Sequence, residues 1–259
     1  MNGGSVFVAS PGAALVTGAA SGIGRKIAAR LAQARYSVVV HCSLASRATA
    51  EAAVASIKEQ GGKAGVLAAD LREPGALARL AADAAAFFGP LTLLINNAAV
   101  FEADDAASFD LECWERHFSV NLRAPLVLSR DFARQLPDGT EGAIVNIIDQ
   151  RVLRPTPQFF TYSLSKSALW AATRTMAQAF APRGIRVNAV GPGPVSANII
   201  QGEAGFAREV RGLPLGRAIS PADVAGAVLY LATARNVTGQ LIAVDAGQHL
   251  AWRTADVVL

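Results

Sequence analysis

The sequence predicts a doubly wound α/β fold: one domain, residues 1–259, with a parallel sheet of about seven strands flanked by helices. Three observations predict it. Apolar runs alternate with amphipathic segments along the chain, as βαβ units require. The runs are apolar throughout, the pattern of strands covered on both faces. A glycine-rich turn, Thr17-Gly-Ala-Ala-Ser-Gly-Ile-Gly24, joins the first run to the first amphipathic segment. A length of 259 residues suits one such domain.

Taken in order, Ala13–Thr17 reads as a strand and Gly22–Ala34 as a helix. Tyr36–His41 is the second strand, followed by a helix over Ala45–Gln60. Ala64–Ala68 is a strand, and Pro74–Phe88 is a helix opened by proline, whose missing N–H costs nothing in a first turn. Leu91–Ile95 is a strand, Phe109–Gln135 a long helix, Ala143–Ile148 a strand and Gln158–Ala181 a second long helix. Ile185–Val190 is a strand. Phe206–Arg211 and Pro221–Ala232 read as short helices, and Leu241–Val244 closes the sheet. Pro192–Arg217 is the least regular stretch, rich in glycine and proline, and follows a strand end. That is where a loop closes over a ligand in a doubly wound sheet, although an ordinary surface excursion has the same composition.

Composition narrows the classes. Hydrophobic residues make up 52% and charged residues 17%, a globular balance. The net charge of +4 is spread without a basic block, which argues against nucleic acid and suits an anionic small molecule. Cys42 and Cys113 are far apart, so no disulfide framework is expected, and a cytoplasmic location fits. No signal peptide and no membrane span are read, and His41, His117 and His249 lack ligand spacing, so no metal is expected.

The chemistry-bearing residues cluster at strand ends. Gly18 permits a tight turn; Gly22 and Gly24, with Ser21 and Ile23 between and before them, let backbone approach a pyrophosphate at a helix N-terminus. Asp70, with Leu71, ends the third strand and is placed to accept from an adenine amino group, or else to cap the helix at Pro74. Asn96-Asn97-Ala98-Ala99 ends the fourth strand and either braces the glycine loop or lines an adenosine pocket. Asn121 is a lone amide in an apolar helix and must find partners, whether as a core amide or by kinking the helix and holding a water for Lys166.

Tyr162 and Lys166 stand one helical turn apart, on one face. An ammonium there is expected to lower the phenol's pKa and make it a proton donor. Asp149 precedes the tyrosine by thirteen residues, at the end of the fifth strand.

Together, in this order and spacing, these elements and Pro192-Gly193 resemble the short-chain dehydrogenase/reductase family over essentially the whole chain. The resemblance implies a Rossmann fold, hydride transfer with NAD(P), and a homotetramer or dimer. It implies Tyr162 as acid/base, Lys166 as ribose anchor and modulator of Tyr162, and Asn121 in a proton relay. The second strand ends in His41-Cys42-Ser43-Leu44-Ala45-Ser46-Arg47, with no acid to hold ribose hydroxyls. Ser43, Ser46 and Arg47 are placed for a 2′-phosphate, so NADPH/NADP+ is the expected cofactor. Arg47 as a solvated helix-start residue is the plainer alternative. The family's NADP-using members often carry a basic residue where this chain has Ser21.

Most of the family has serine where this chain has Asp149. A carboxylate cannot donate to a ketone oxygen, repels a developing oxyanion and opposes Lys166 at Tyr162. A substrate that presents N–H groups fits better. Asp149 with Tyr162 and Lys166 is similar to the pteridine reductase and dihydromonapterin reductase branch. That branch has an aromatic residue at Phe101 that stacks on the pterin, and a serine where this chain has Ala99. Phe101 as core packing and Asp149 as a local backbone cap are the structural alternatives. The expected function is reduction of a 7,8-dihydropterin to a tetrahydropterin, with Phe101, Asp149, Tyr162 and Pro194 at the substrate. The alternatives are reduction of another carbonyl or imine and, more distantly, nucleotide sensing without turnover.

Overall fold

The computed structural model describes residues 11–196 and 202–251. Seven strands form one sheet: β1 (Ala13–Val16), β2 (Ser37–Cys42), β3 (Lys63–Ala68), β4 (Leu91–Asn96), β5 (Gly142–Ile147), β6 (Ile185–Pro192) and β7 (Leu241–Val244). Their order is β3-β2-β1-β4-β5-β6-β7, and every pairing is parallel. Strand order reverses between β1 and β4, which opens a crevice at their carboxyl ends. Gly18 and Asn97 stand on its two sides.

The helices are α1 (Gly22–Gln33), α2 (Arg47–Glu59), α3 (Pro74–Phe88), α4 (Leu111–Phe118), α5 (Ala124–Gln135), α6 (Phe160–Phe180), α7 (Gly202–Arg211) and α8 (Pro221–Thr233). Two large hydrophobic clusters result, with a small third formed by Ile148, Leu169 and Ala189. One joins α1, α2 and α8 to the sheet through Ile27, Leu31, Val54, Val224 and Val228. The other joins α3, α5 and α6 through Leu80, Leu128, Phe132 and Ala177. Strand residues such as Val38 and Val39 supply opposite faces, which is why the strands are mostly apolar rather than alternating.

Three expected elements are corrected. The long helix over Phe109–Gln135 is two helices joined by a π-turn, Ser119–Arg123. Pro125 explains the break: it has no N–H to donate and its ring crowds the carbonyl four residues back, at Asn121. The second helix begins at Arg47, after a 3-10 turn over Leu44–Ser46. Helix α7 starts at Gly202, so the irregular stretch carries more helix than Phe206–Arg211. Residues 252–259, with Trp252, lie outside the described residues, as does the N-terminal segment read for a leader. Among the described residues no helix is long and apolar enough to cross a membrane.

Candidate active site

A cavity of about 770 Å³ occupies the crevice between β1 and β4. Its wall is the glycine loop, His41 to Ser43, Ser46, Ala69 to Arg72, and Asn97 to Val100. The size lies within the about 300–1,000 Å³ range of small-molecule sites. The loop is held open by its glycines. Gly18 has φ +62, and a Cβ there would lie 2.8 Å from Ala98 Cα. A Cβ on Gly24 would lie 2.4 Å from the Gly18 carbonyl and 2.5 Å from Asn97 Nδ2. Gly24 is therefore demanded by packing within the loop. Gly22, at φ +55 with open space before it, is the one that clears a path for a ligand.

The loop's bracing is polar. Asn97 Nδ2 donates to the carbonyls of Thr17 and Gly18, at 2.9 and 3.0 Å. Thr17 Oγ1 accepts the backbone N–H groups of Asn97 and Ala98. His41 Nδ1 accepts the Gly18 N–H at 3.2 Å, so its Nε2 carries the proton that it donates to the Ala69 carbonyl. Burial pushes its pKa down to about 4, so the imidazole is neutral. Asn96 sits deeper, donating to Asn146 Oδ1 at 2.8 Å.

A second space of about 280 Å³ adjoins the first, sharing Ile23, Asn97, Ala99, Val195 and Ser196 in its wall. Phe101, Asp149, Arg151, Tyr162, Lys166 and Pro192 to Pro194 line it. Helix α6 presents Tyr162 and Lys166 to it from successive turns, both buried. Tyr162 Oη donates to Asp149 Oδ2 at 3.1 Å. Lys166 Nζ donates to the Ile147 carbonyl at 2.8 Å and lies 5.8 Å from the Tyr162 ring centroid. Burial lowers the lysine's pKa to about 8, with Asp149 opposing that fall. Burial raises the pKa of Tyr162 well above 10; the Asp149 charge raises it further and Arg151 lowers it.

Phe101 stacks on Phe159 at 4.3 Å between centroids and 15° between planes, and meets Tyr162 edge-on at 4.7 Å. Arg151 lies over both phenyl rings, at 5.8 and 5.2 Å. Its Nη1 is 3.2 Å from Asp149 Oδ2, and its backbone N–H donates to Asp149 Oδ1 at 2.8 Å. Gln248 and Glu209 close the far rim, with Gln248 Nε2 donating to Glu209 Oε1 at 2.6 Å.

The family model described as enoyl-(acyl carrier protein) reductase matches residues 18–249. A short-chain type dehydrogenase/reductase of Picea abies is 36% identical, over 91% of each chain. The chain belongs to the short-chain dehydrogenase/reductase family. Among solved structures, FolM alternative dihydrofolate reductase 1 from Brucella canis, complexed with NADP, is 45% identical. It superposes with a TM-score of 0.91 over 96% of this chain and 98% of its own. The same-named reductase from Brucella suis, also with NADP, matches at the same identity and TM-score over 96% and 99%.

Within this short-chain reductase the expected residues fall into two groups. Gly18, Ser21, Gly22, Ile23, Gly24, His41, Ser43, Ser46, Asp70, Leu71, Asn97 and Ala98 all line the larger cavity. Phe101, Asp149, Tyr162, Lys166, Pro192, Gly193 and Pro194 all line the smaller one. Arg47 lines neither: its guanidinium is exposed and pairs with Glu51, one helical turn on. Asp70 lies beyond the end of β3, and both its oxygens engage the Arg72 guanidinium. It is not the helix cap, since Glu73 holds that position.

Asn121 does sit at a kink, but its amide is spent elsewhere than on Lys166. Its Oδ1 accepts the Val100 N–H, and its Nδ2 donates to the Val100 carbonyl and Ser165 Oγ. The net shift of the phenol runs against the lowering expected from Lys166, because burial and the Asp149 charge raise its pKa. Asp149 combines two roles weighed as alternatives, contacting Tyr162 and capping the turn at Arg151. Arg151 was legible only as a neighbour of Asp149; its two-residue offset across a turn is the signal that marks it. His117 has ligand-type company that spacing did not foresee, since Asp104, Cys113 and His117 bring their ligand atoms within 4.8 Å of one another.

Proposed function

We propose that the protein is an NADPH-dependent pteridine reductase that converts a 7,8-dihydropterin to the tetrahydropterin. The observation that carries this reading is the Tyr162–Asp149 hydrogen bond in a pocket walled by the Phe101 ring. A carboxylate accepts hydrogen bonds and donates none, so Asp149 suits a ring that presents N–H groups and disfavours a bare ketone. Arg151, paired to it, offsets its charge. Phe101 provides a flat face for a heteroaromatic ring. The likeness to two NADP-complexed alternative dihydrofolate reductases supports the same substrate class and cofactor.

The larger cavity fits a dinucleotide on the loop's own geometry. Gly22 leaves clear space before it, and the α1 N-terminus offers unpaired N–H groups to a pyrophosphate. The Ser43 and Ser46 hydroxyls, 3.0 Å apart, stand at the end of β2 where a 2′-phosphate would be held. Bound NADPH would supply the hydride for a ring carbon of the substrate. Tyr162 holds the proton for the neighbouring ring nitrogen at its Oη, Asp149 orients that hydroxyl, and solvent replaces the proton. Acid catalysis of this kind contributes about 10²–10⁴-fold. The assembly we propose is a homotetramer, which sedimentation of the purified protein tests; a monomer would refute it.

The test of the reading is Asp149→Ser. A hydroxyl in place of the carboxylate is expected to lower dihydropterin turnover and to bring in reduction of simple ketones. Unchanged dihydropterin turnover would remove Asp149 from the chemistry.

A further inference from the structure

Behind the catalytic pocket runs a buried polar chain that the proposed chemistry does not use. Helix α6 follows Phe159, which stands at φ 58 in the left-handed region and provides no side-chain cap. The cap comes from a distant segment. The Asp104 carboxylate accepts the Thr161 N–H at 3.2 and 3.3 Å, and the Asp104 carbonyl accepts the Phe159 N–H at 2.9 Å. The Thr161 hydroxyl donates to the same carboxylate. It accepts in turn from His117 Nδ1, at 2.7 Å. The tautomer follows from the other ring nitrogen: His117 Nε2 accepts the Glu102 N–H at 3.1 Å, so Nδ1 carries the proton. The chain is therefore directed, from the Glu102 N–H through His117 and Thr161 to Asp104.

His117 and Thr161 are fully buried. Cys113 packs beside them, 3.6 Å from His117 Nδ1, and burial pushes its thiol pKa up. With both imidazole nitrogens and the threonine hydroxyl engaged, loss of one member leaves buried partners unpaired. The chain joins three pieces of the pocket: the loop after β4 that carries Phe101, helix α4, and the first turn of α6 that carries Tyr162. Two of its members lie against the aromatic wall. Asp104 holds the backbone of Phe159, whose ring stacks on Phe101, and the His117 ring meets Tyr162 edge-on at 5.9 Å.

We propose that Asp104, Thr161 and His117 are positioning residues that hold the Phe101–Phe159 wall in register with Tyr162 and so set the pocket's affinity for a flat ring. This rests on the reading of Phe101 as the platform for a planar substrate. The effect is exerted through binding of the ring, not through the proton transfer.

The experiment compares Thr161→Val and Thr161→Ser, alone and with Phe101→Ala. Valine keeps the shape and removes the hydroxyl; serine restores it. The expected result for Thr161→Val is a KM for dihydropterin raised about tenfold, kcat within about threefold, and NADPH Kd within about twofold. Thr161→Ser returns KM to within about threefold of the parent, and with Phe101→Ala in place Thr161→Val adds less than about twofold. An unchanged KM in folded Thr161→Val, or an increase of the same size without the Phe101 ring, overturns the proposal. If Thr161→Val does not fold, Asp104→Asn is read by the same criteria. A parent protein inert toward dihydropterins refutes the substrate reading and leaves a substrate-free measurement. Amide exchange at Glu102 and Val100 is expected to be faster in Thr161→Val than in Thr161→Ser, and equal exchange overturns the tie.

Discussion

Lys166, which we propose as part of the active site, is a buried charge that costs the fold stability, and Lys166→Met exposes that cost. Lys166 is 2% exposed and its pKa falls from 10.5 to about 8, chiefly through burial. At about 1.4 kcal/mol per pH unit, that fall is a penalty of about 3 kcal/mol when the lysine is charged in both states. Methionine fills the volume of the alkyl chain, but it leaves the Ile147 carbonyl without its donor, a loss of about 1 kcal/mol. Net, Lys166→Met is expected to be more stable than the parent by about 2 kcal/mol at pH 7. A depressed lysine pKa means that the unfolded chain binds more protons between 8 and 10.5, so the parent gains stability as pH rises through that window. The penalty is complete below about 8 and falls to about 1 kcal/mol near pH 10, where the two proteins should be nearly equal. Urea denaturation of both proteins at pH 7 and pH 10 measures this, and the variant should also lose turnover. A variant less stable at pH 7, or a stability difference independent of pH, would refute the reasoning.

Three further outcomes are expected. Tyr162→Phe removes the Oη proton without changing the ring, so turnover falls about 10²–10⁴-fold while NADPH binding by fluorescence is retained; equal turnover would remove Tyr162 from the mechanism. Phe101→Ala should raise KM for dihydropterins and leave the Kd for NADPH unchanged, and a loss of equal size in both would show that the ring only packs. Gly24→Ala places a methyl against the Gly18 carbonyl, so the loop's own backbone must shift. An overpacking cost of about 1–3 kcal/mol is expected, with weaker NADPH binding as the loop shifts. Unaltered affinity would show that the loop's shape does not matter to the cofactor.

Much of this architecture was legible because it rests on local rules. Strands buried on both faces declare themselves as unbroken apolar runs, and Tyr162 and Lys166 share a face because helical geometry requires it. Gly18 and Gly24 were readable as necessary, though Gly24 is required for packing against the loop's own backbone. What was not legible depends on distant partners. Asp104, His117 and Thr161 lie 44 to 57 positions apart along the pairs they form, and no spacing rule joins them. The raised pKa of Tyr162 comes first from burial, which a Tyr-x-x-x-Lys spacing does not report. Arg47 is instructive in the other direction: its partner Glu51, four residues on in a helix, was visible in the sequence and competes with any phosphate for the guanidinium. The break at Asn121 was also foreseeable from Pro125, four residues later.

Oxidation of NADPH by the purified protein, followed with a panel of 7,8-dihydropterins, dihydrofolate and simple ketones, tests the proposed activity most directly. The arrangement of Asp149, Tyr162 and Phe101 predicts rapid turnover confined to the pterin-bearing substrates. Turnover with the ketones alone would contradict it.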